Sequence, residues 1–217
     1  MTDTAATARM NRIYKRQRHI YDATRKFYLL GRDGLLGRLQ LQPNDNVLEI
    51  GCGTGRNLIL AARRYPRARC FGIDVSTEML TSATESIGRA GLSSRVRVAH
   101  GDAATFDPQA LFGVDTFDCV FISYSLSMIP PWQAAIDRGL ACLAPQGALH
   151  IVDFGGQSRL PDWFRERLRQ WLSLFEVTPR DGLEPVLAVR ARNNGMLLSL
   201  ERPFRDYAVY AELRKAA

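Results

Sequence analysis

The sequence predicts an α/β fold, a Rossmann-like doubly wound sheet of seven strands with helices on both faces. From residue 46 onward, short apolar runs with strand character alternate with stretches of helical periodicity. A glycine-rich turn joins the first apolar run to the first helix. A pair of alternating segments near the C-terminus predicts an antiparallel hairpin strand added to an otherwise parallel sheet.

The parallel strands are predicted from continuous apolar runs, which are typical of strands covered by helices on both faces. Helices between consecutive strands favour right-handed crossovers. The predicted strands cover residues 46–51, 69–75, 95–102, 117–126 and 148–154, and the predicted helices cover residues 56–65, 77–90 and 132–143.

The pattern changes after residue 160. A helix is expected to follow Pro161 and Asp162, with apolar side chains at helical spacing that favour packing on the core over an exposed interface. A second helix is predicted at 183–193, and residues 195–214 read as two strands joined around Arg202–Pro203–Phe204. The apolar side chains of the first helix are Phe164, Leu168, Trp171, Leu172 and Phe175, beside Trp163.

Residues 9–30 have helical periodicity before the first strand, which predicts helical cover on the main domain. The chain is therefore divided into an N-terminal helical lid with a basic surface at 1–40 and one main domain at 41–217. Its 217 residues suffice for a sizeable core, and no run approaches the 18 apolar residues of a membrane span. No apolar segment follows the basic N-terminus, so a secretory signal is not expected. The expected location of the protein is the cytoplasm.

Cysteine and histidine usage gives no metal-ligand spacing. The four cysteines stand alone, mostly in apolar runs, and the three histidines are scattered. Buried, reduced thiols and no metal site are expected.

The positive charge lies mostly at the N-terminus. The net charge of the chain is +7, and residues 1–38 contain nine Lys or Arg against three Asp, a net +6. This distribution favours contact with anionic lipid, nucleic acid or an acidic substrate, although a solvated basic helix would look the same.

The glycine turn reads "VLEIGCGTG" at residues 47–55. A dinucleotide fingerprint would need a third glycine where Arg56 stands. Glu49, just before the first glycine, would repel a pyrophosphate but would suit a cationic ligand.

This stretch resembles the first motif of class I S-adenosylmethionine-dependent methyltransferases, E/D-x-G-x-G-x-G. The resemblance implies that the loop passes under the amino-acid part of the cofactor, that Asp74 takes the ribose hydroxyls and that Asp102 contacts the adenine amine. Ser123 and Tyr124 would line the methyl-donor pocket. S-adenosyl-L-methionine is thus the expected cofactor, with S-adenosyl-L-homocysteine as product and 41–217 as the methyltransferase domain. The candidate cofactor residues are Tyr21, Glu49, Gly51, Gly53, Gly55, Asn57, Asp74, Val75, Met79, Asp102, Ala103 and Ser123.

The N-terminal text "YKRQRHIYDATRKFYLLGRD", with "ISYSLSMIPPW" and "RDYAVYAELR", resembles the bacterial betaine-lipid N-methyltransferases, which act on diacylglycerylhomoserine. That resemblance implies three methylations of the homoserine amine, giving diacylglyceryl-trimethylhomoserine. It also implies a lid in which Tyr21 covers the cofactor. The enzyme would bind peripherally to the inner face of the membrane through its basic N-terminus.

Methylation of an amine is compatible with the candidate residues. The reaction needs alignment of the amine with the methyl donor and the loss of one proton per round, and it does not need a strong base. Aromatic rings suit a methylammonium, and arginines suit the carboxylate of the head group. The positioning candidates are Tyr14 and Tyr124, and the substrate-binding candidates are Arg18, Arg25, Tyr28 and Arg32.

Other functions remain open from the sequence. Phosphatidylethanolamine N-methylation and methylation of a small molecule use the same donor. A nucleic-acid methyltransferase would use the basic N-terminus on phosphates, but no "NPPY"- or "DPPY"-like motif is present. A cofactor-binding module without turnover would keep the same glycines and acids.

Overall fold

A computed structural model describes residues 29–215, and these residues build a seven-stranded sheet between two layers of helices. The strands are β1 (Asn46–Ile50), β2 (Arg69–Asp74), β3 (Val96–His100), β4 (Phe117–Ser123), β5 (Leu143–Phe154), β6 (Met196–Glu201) and β7 (Ala208–Lys215). The helices, numbered within the described residues, are α1 (Arg32–Arg38), α2 (Arg56–Arg64), α3 (Thr77–Arg89), α4 (Pro108–Phe112), α5 (Trp132–Ala141), α6 (Asp162–Ser173) and α7 (Leu183–Asn193).

The strand order is β3-β2-β1-β4-β5-β7-β6. Strands β1 to β5 are parallel to one another, and β7 pairs antiparallel with both β5 and β6. This order confirms the predicted Rossmann-like sheet with its C-terminal antiparallel hairpin. Because the order reverses between β1 and β4, loops at the carboxyl ends of these strands diverge and leave a crevice.

The two sides of the sheet carry separate apolar clusters. In β4 the side chains of Cys119 and Phe121 join the cluster under α1, α2, α3 and α6, whereas Val120 and Ile122 join the cluster under α4, α5 and α7. This alternation has the period of two that a strand imposes, and both faces are buried. All four cysteines are free and buried, as predicted.

Most element boundaries agree with the sequence prediction within a few residues, but three regions differ. β4 ends at Ser123 because Tyr124 has a positive φ of 53°, which turns the chain into the 3₁₀ turn Leu126–Met128. β5 begins at Leu143, earlier than predicted, with an irregular register opposite Phe117 and Cys119. The short helix α4 was not predicted.

Helix α1 packs on the same core as the rest of the structure. Leu35 and Leu36 are buried in the cluster that α2 and α3 share. Within the described residues α1 is continuous with the main domain, and the predicted division at residue 40 stays a prediction. No helix among residues 29–215 combines the length and the apolar character that a bilayer span requires.

Candidate active site

A cavity of about 960 Å³ opens where β1, β2 and β4 end. It has two halves. The strand-end half is lined by residues 49, 51–54, 56, 57, 73–75 and 101–105. The loop half is lined by Leu29, Arg32, residues 123–125 and 128–131, Glu176, Thr178 and Arg180.

The glycine turn between β1 and α2 forms the floor of the strand-end half. Gly51, Gly53 and Gly55 have φ values of 75°, 53° and 75°, which only glycine adopts without strain. A Cβ atom on Gly51 would lie 2.6 Å from Cβ of Ser125, and one on Gly55 would lie 3.2 Å from Cβ of Ala83. At these two positions the protein itself leaves no room for a side chain. Gly51 and Gly53 line the cavity, and Gly55 lies behind it as the residue that caps α2.

Glu49 places a carboxylate at the base of the cavity. Its side chain is 1% exposed, and its Oε1 accepts a hydrogen bond of 2.7 Å from Nδ2 of Asn57 in the first turn of α2. Both residues line the cavity. A buried carboxylate that also faces a cavity favours a ligand with positive charge.

Asp74 ties the end of β2 to the glycine turn. Its Oδ2 accepts from the backbone N–H of Gly53 at 2.8 Å, and its Oδ1 accepts from the N–H of Ser76 at 2.9 Å. Asp102 follows β3 and accepts from the N–H of Ala104 at 2.8 Å. Together with Glu49, three carboxylates from three adjacent strands therefore surround the same half of the cavity.

Val75 and Ala103, two of the candidate cofactor residues, also line this half. Met79 does not stand among the described lining residues. Its side chain is 5% exposed and packs with Met128 and Phe175, because the first turn of α3 carries it behind the cavity wall. Met79 therefore packs against the protein in the described structure, and its predicted contact with the cofactor stays a prediction.

Ser123 at the end of β4 presents a polar atom to the cavity. Its Oγ is buried and has no hydrogen-bond partner among the described residues. Such a group costs stability unless a ligand or solvent pairs with it. Together with the three carboxylates, Ser123 fits a polar, cationic ligand.

Tyr124 lines the loop half but its hydroxyl is engaged. It donates a hydrogen bond of 2.5 Å to the carbonyl of Leu30, and its ring packs edge-on against Phe154 with centroids 4.9 Å apart. Burial raises the pKa of Tyr124 well above its ordinary value, so the phenol stays neutral. The structure thus makes Tyr124 a fixed wall and a tether for residues 29–31, not a base.

Arg32, at the start of α1, lines the loop half with a side chain that is 11% exposed. It is the member of the predicted substrate-binding set that the structure describes. Tyr14, Arg18, Tyr21, Arg25 and Tyr28 lie outside the described residues, so their predicted roles stay predictions.

Arg180 was not predicted from the sequence. Its Nε donates to the carbonyl of Leu126 at 2.9 Å, and its Nη2 donates to the carbonyl of Ile129 at 2.9 Å and, more weakly, to that of Ser127 at 3.4 Å. Arg180 lines the cavity and holds the loop that follows β4, so it fixes the shape of the loop half. Burial lowers its pKa.

Asp153, at the end of β5, holds the same loop from the other side. Its carboxylate is 1% exposed and accepts from the N–H groups of Ser127 at 3.1 Å and Phe154 at 2.7 Å. Burial raises the pKa of Asp153 to about 6, although these two bonds and Arg180 oppose the shift.

Residues 47–147 match a family model described as a methyltransferase domain. This match supports a class I S-adenosylmethionine-dependent methyltransferase. Its cofactor is S-adenosylmethionine, which confirms the prediction from the glycine turn and the acids. Within residues 29–215, no group of three or more metal-ligating side chains is placed to hold an ion.

Relatives of this methyltransferase domain have different acceptors. The chain is 32% identical over 166 residues to the trans-aconitate 2-methyltransferase of Paracidovorax citrulli, covering 75% of this chain and 57% of that protein. An O-methyltransferase family protein from Burkholderia thailandensis has a TM-score of 0.69 at 16% identity, over 90% of this chain and 59% of that one. The phosphoethanolamine N-methyltransferase 2 of Haemonchus contortus, solved with S-adenosyl-L-methionine, has a TM-score of 0.66 at 18% identity, over 86% and 52%. The chain thus spans little more than half the length of these proteins.

Proposed function

We propose that the protein is an S-adenosylmethionine-dependent N-methyltransferase that trimethylates the amine of diacylglycerylhomoserine, forming diacylglyceryl-trimethylhomoserine. The observation that carries this proposal is the pairing of two chemistries in one cavity. The strand-end half presents Glu49, Asp74 and Asp102, and its one lining arginine among the described residues, Arg56, pairs with Asp33 at 2.6 Å. The loop half presents Arg32 and Arg180, beside Glu176. The first set suits a cationic donor, and the second suits an acceptor that carries a carboxylate.

The carboxylates would hold the donor in one orientation. Asp74 and Asp102 would accept from its ribose and adenine, and Glu49 would lie near its charged amino-acid end. Bound S-adenosylmethionine supplies a sulfonium methyl group, which transfers to the amine lone pair as the carbon–sulfur bond breaks. Each round leaves S-adenosylhomocysteine and one proton that passes to solvent.

The residues of the loop half would orient the acceptor without acting as a base. Tyr124 is neutral and already donates to Leu30, so it offers a rigid aromatic wall. A homoserine amine exchanges its proton with water before each transfer, and correct alignment accounts for roughly 7 kcal/mol or more of the barrier reduction. This arrangement is consistent with an amine acceptor.

We also propose that the enzyme acts peripherally at the inner face of the membrane, with its basic N-terminus facing anionic lipid. The net charge of +6 on residues 1–38 supports this location. Basic residues near an anionic bilayer contribute about 1 kcal/mol each.

A second candidate is methylation of a small carboxylic acid. The similarity to a trans-aconitate 2-methyltransferase and the arginines of the loop half favour it. In that case the carboxylate oxygen, not an amine, would receive the methyl group, and a single ester would form.

The deciding experiment is mass spectrometry after incubation with isotopically labelled S-adenosylmethionine and separate acceptors. Diacylglycerylhomoserine is expected to gain up to three labelled methyl groups, whereas phosphatidylethanolamine and trans-aconitate are expected to gain none. A labelled methyl ester of trans-aconitate, or methylated phosphatidylethanolamine alone, would contradict the lipid-amine proposal.

A further inference from the structure

The first turn of α6 carries two aromatic side chains that do not pack on the core. Trp163 is 69% exposed and Phe164 is 40% exposed. Their rings are perpendicular, with centroids 5.7 Å apart, so they form one apolar projection. Phe164 continues the stripe of Leu168 and Trp171 that packs on the core, but the helix begins beyond the edge of that core. The sequence prediction of core packing is therefore wrong for these two residues.

Helix α6 lies at the edge of the sheet where the cavity opens. The guanidinium of Arg169 donates to the carbonyl of Gly156 at 3.2 Å and to Oε1 of Gln157 at 2.9 Å, in the loop that follows β5. The chain after α6 then enters the cavity wall through Thr178 and Arg180. The loop before α6 and the chain after it therefore both lie on the side of the sheet where the cavity opens.

Two further exposed apolar side chains lie along this edge. Phe204 is 49% exposed in the turn between β6 and β7, and Leu30 is 36% exposed beside the cavity residues Leu29 and Arg32. Gly31, which follows Leu30 in the chain, lies against Phe204, since a Cβ atom on Gly31 would lie 3.1 Å from the ring of Phe204.

The edge carries more positive than negative side chains. Arg165 pairs with Asp162 at 2.9 Å, and Glu166 is the other exposed acid on the first turns of α6. Against them stand three exposed arginines, in the loop before α6, on α6 and in the β6–β7 turn: Arg159, Arg167 and Arg205. Tryptophan and phenylalanine surrounded by arginine are typical of protein surfaces that lie in the head-group region of a bilayer. The mixture of apolar and positive groups matches the two layers of that region, acyl chain and anionic head group.

We propose that Trp163, Phe164, Leu30 and Phe204 form a membrane-docking edge, which inserts into the bilayer interface and brings the cavity mouth to the lipid head groups. The identity of the lipid acceptor rests on the proposed function, but the docking edge is measured without it. Docking by apolar insertion differs from attraction by the N-terminal charges, because salt screens only the latter.

The test uses the full chain and sedimentation with vesicles of phosphatidylcholine that contain a minority of phosphatidylglycerol. The double variant Trp163→Ala and Phe164→Ala is expected to bind vesicles about tenfold more weakly, because two aromatic side chains leave the interface. The loss is expected to persist at about 0.5 M salt, where charges interact only over a few Å. The matched control is the double variant Val189→Ala and Leu197→Ala, which removes exposed apolar side chains from α7 and β6 and is expected to bind within about twofold of the parent.

Turnover separates this proposal from the proposed function. The aromatic double variant is expected to methylate detergent-dispersed diacylglycerylhomoserine at the parental rate, and the vesicle-embedded lipid about tenfold more slowly. Failure of parent and variant to methylate either form would refute the proposed acceptor and leave the vesicle measurement intact. Equal vesicle binding by parent and aromatic variant would refute the docking edge. A parental dimer that this variant dissociates would assign the edge to a second copy of the chain.

Discussion

The two halves of the cavity are built in different ways. In the strand-end half, each carboxylate lies at or just after the end of its own strand, and its bonds reach residues within about one turn or one neighbouring strand. In the loop half, residues that are far apart in sequence hold one another, as Tyr124 holds Leu30 and Arg180 holds Leu126. The strand-end half is thus a property of the sheet, whereas the loop half is a property of cross-links between loops.

This difference suggests that the two halves can change independently. The sheet fixes the position of Asp74 through the register of β2 between β1 and β3. The loop after β4 has no such ladder, and Arg180 and Asp153 supply its partners from other elements. We therefore expect substitutions in one half to leave binding in the other half largely intact.

The largest expected effect is on cofactor binding by Asp74→Ala. This change removes the acceptor for the N–H groups of Gly53 and Ser76 and the proposed ribose contact. Hydrogen bonds to a charged group contribute about 1.5–3 kcal/mol each, so the affinity for S-adenosylmethionine should fall more than about a hundredfold. Titration calorimetry measures this affinity, with Asp137→Ala as a surface control. An unchanged affinity in a folded Asp74→Ala variant would refute the assignment of the strand-end half to the donor.

The strand-end half was largely predictable from the sequence because its signals are local. The glycines, Glu49, Asp74 and Asp102 each stand next to an apolar run that predicts a strand, and parallel strands bring their carboxyl ends to one edge. Met79 is the exception, because tertiary contacts that the sequence does not show hold its side chain in the protein interior.

In the loop half, Ser123, Tyr124 and Arg32 were candidates from the sequence, but the contacts that hold this half together were not predictable, because they go to backbone carbonyls. The residues around Arg180 read as an ordinary turn, and its partners Leu126 and Ile129 lie more than fifty residues earlier without a side-chain signature. The helical period likewise placed Phe164 on the inner stripe of α6. Periodicity gives the direction of a side chain but not how far the supporting core extends beneath it.

The next effect is a pH dependence of stability that comes from Asp153 in the loop half. Burial raises the pKa of this carboxyl from 3.8 to about 6, so the folded state binds the proton more tightly than the unfolded chain does. The contribution of Asp153 to stability is therefore full below about pH 4 and is lost as the pH rises through about 6. Two pKa units correspond to about 3 kcal/mol.

Asp153→Asn is expected to remove this dependence. Urea unfolding gives the free energy of unfolding of parent and variant near pH 4 and near pH 7. The parent is expected to lose more of this free energy between the two pH values than the variant does. Asp181→Asn is the control, because pairing with Arg169 lowers the pKa of Asp181 and its contribution is instead lost as the pH falls. Parallel pH profiles of the parent and Asp153→Asn would contradict a raised pKa at this position.

The smallest effect, and the most specific to the loop half, is expected from Arg180→Met. This variant keeps the length of the side chain but loses the bonds to Leu126 and Ile129, so the loop that shapes the acceptor side should loosen. The KM for the acceptor found by mass spectrometry is expected to rise about tenfold, which corresponds to one or two lost hydrogen bonds. The affinity for S-adenosylmethionine is expected to stay within about twofold of the parent, because the strand-end half keeps its own bonds. Arg190→Met removes a surface pair with Asp137 and should change neither constant. Equal losses of acceptor and cofactor binding in Arg180→Met would show that the two halves are coupled, and would refute their separate construction.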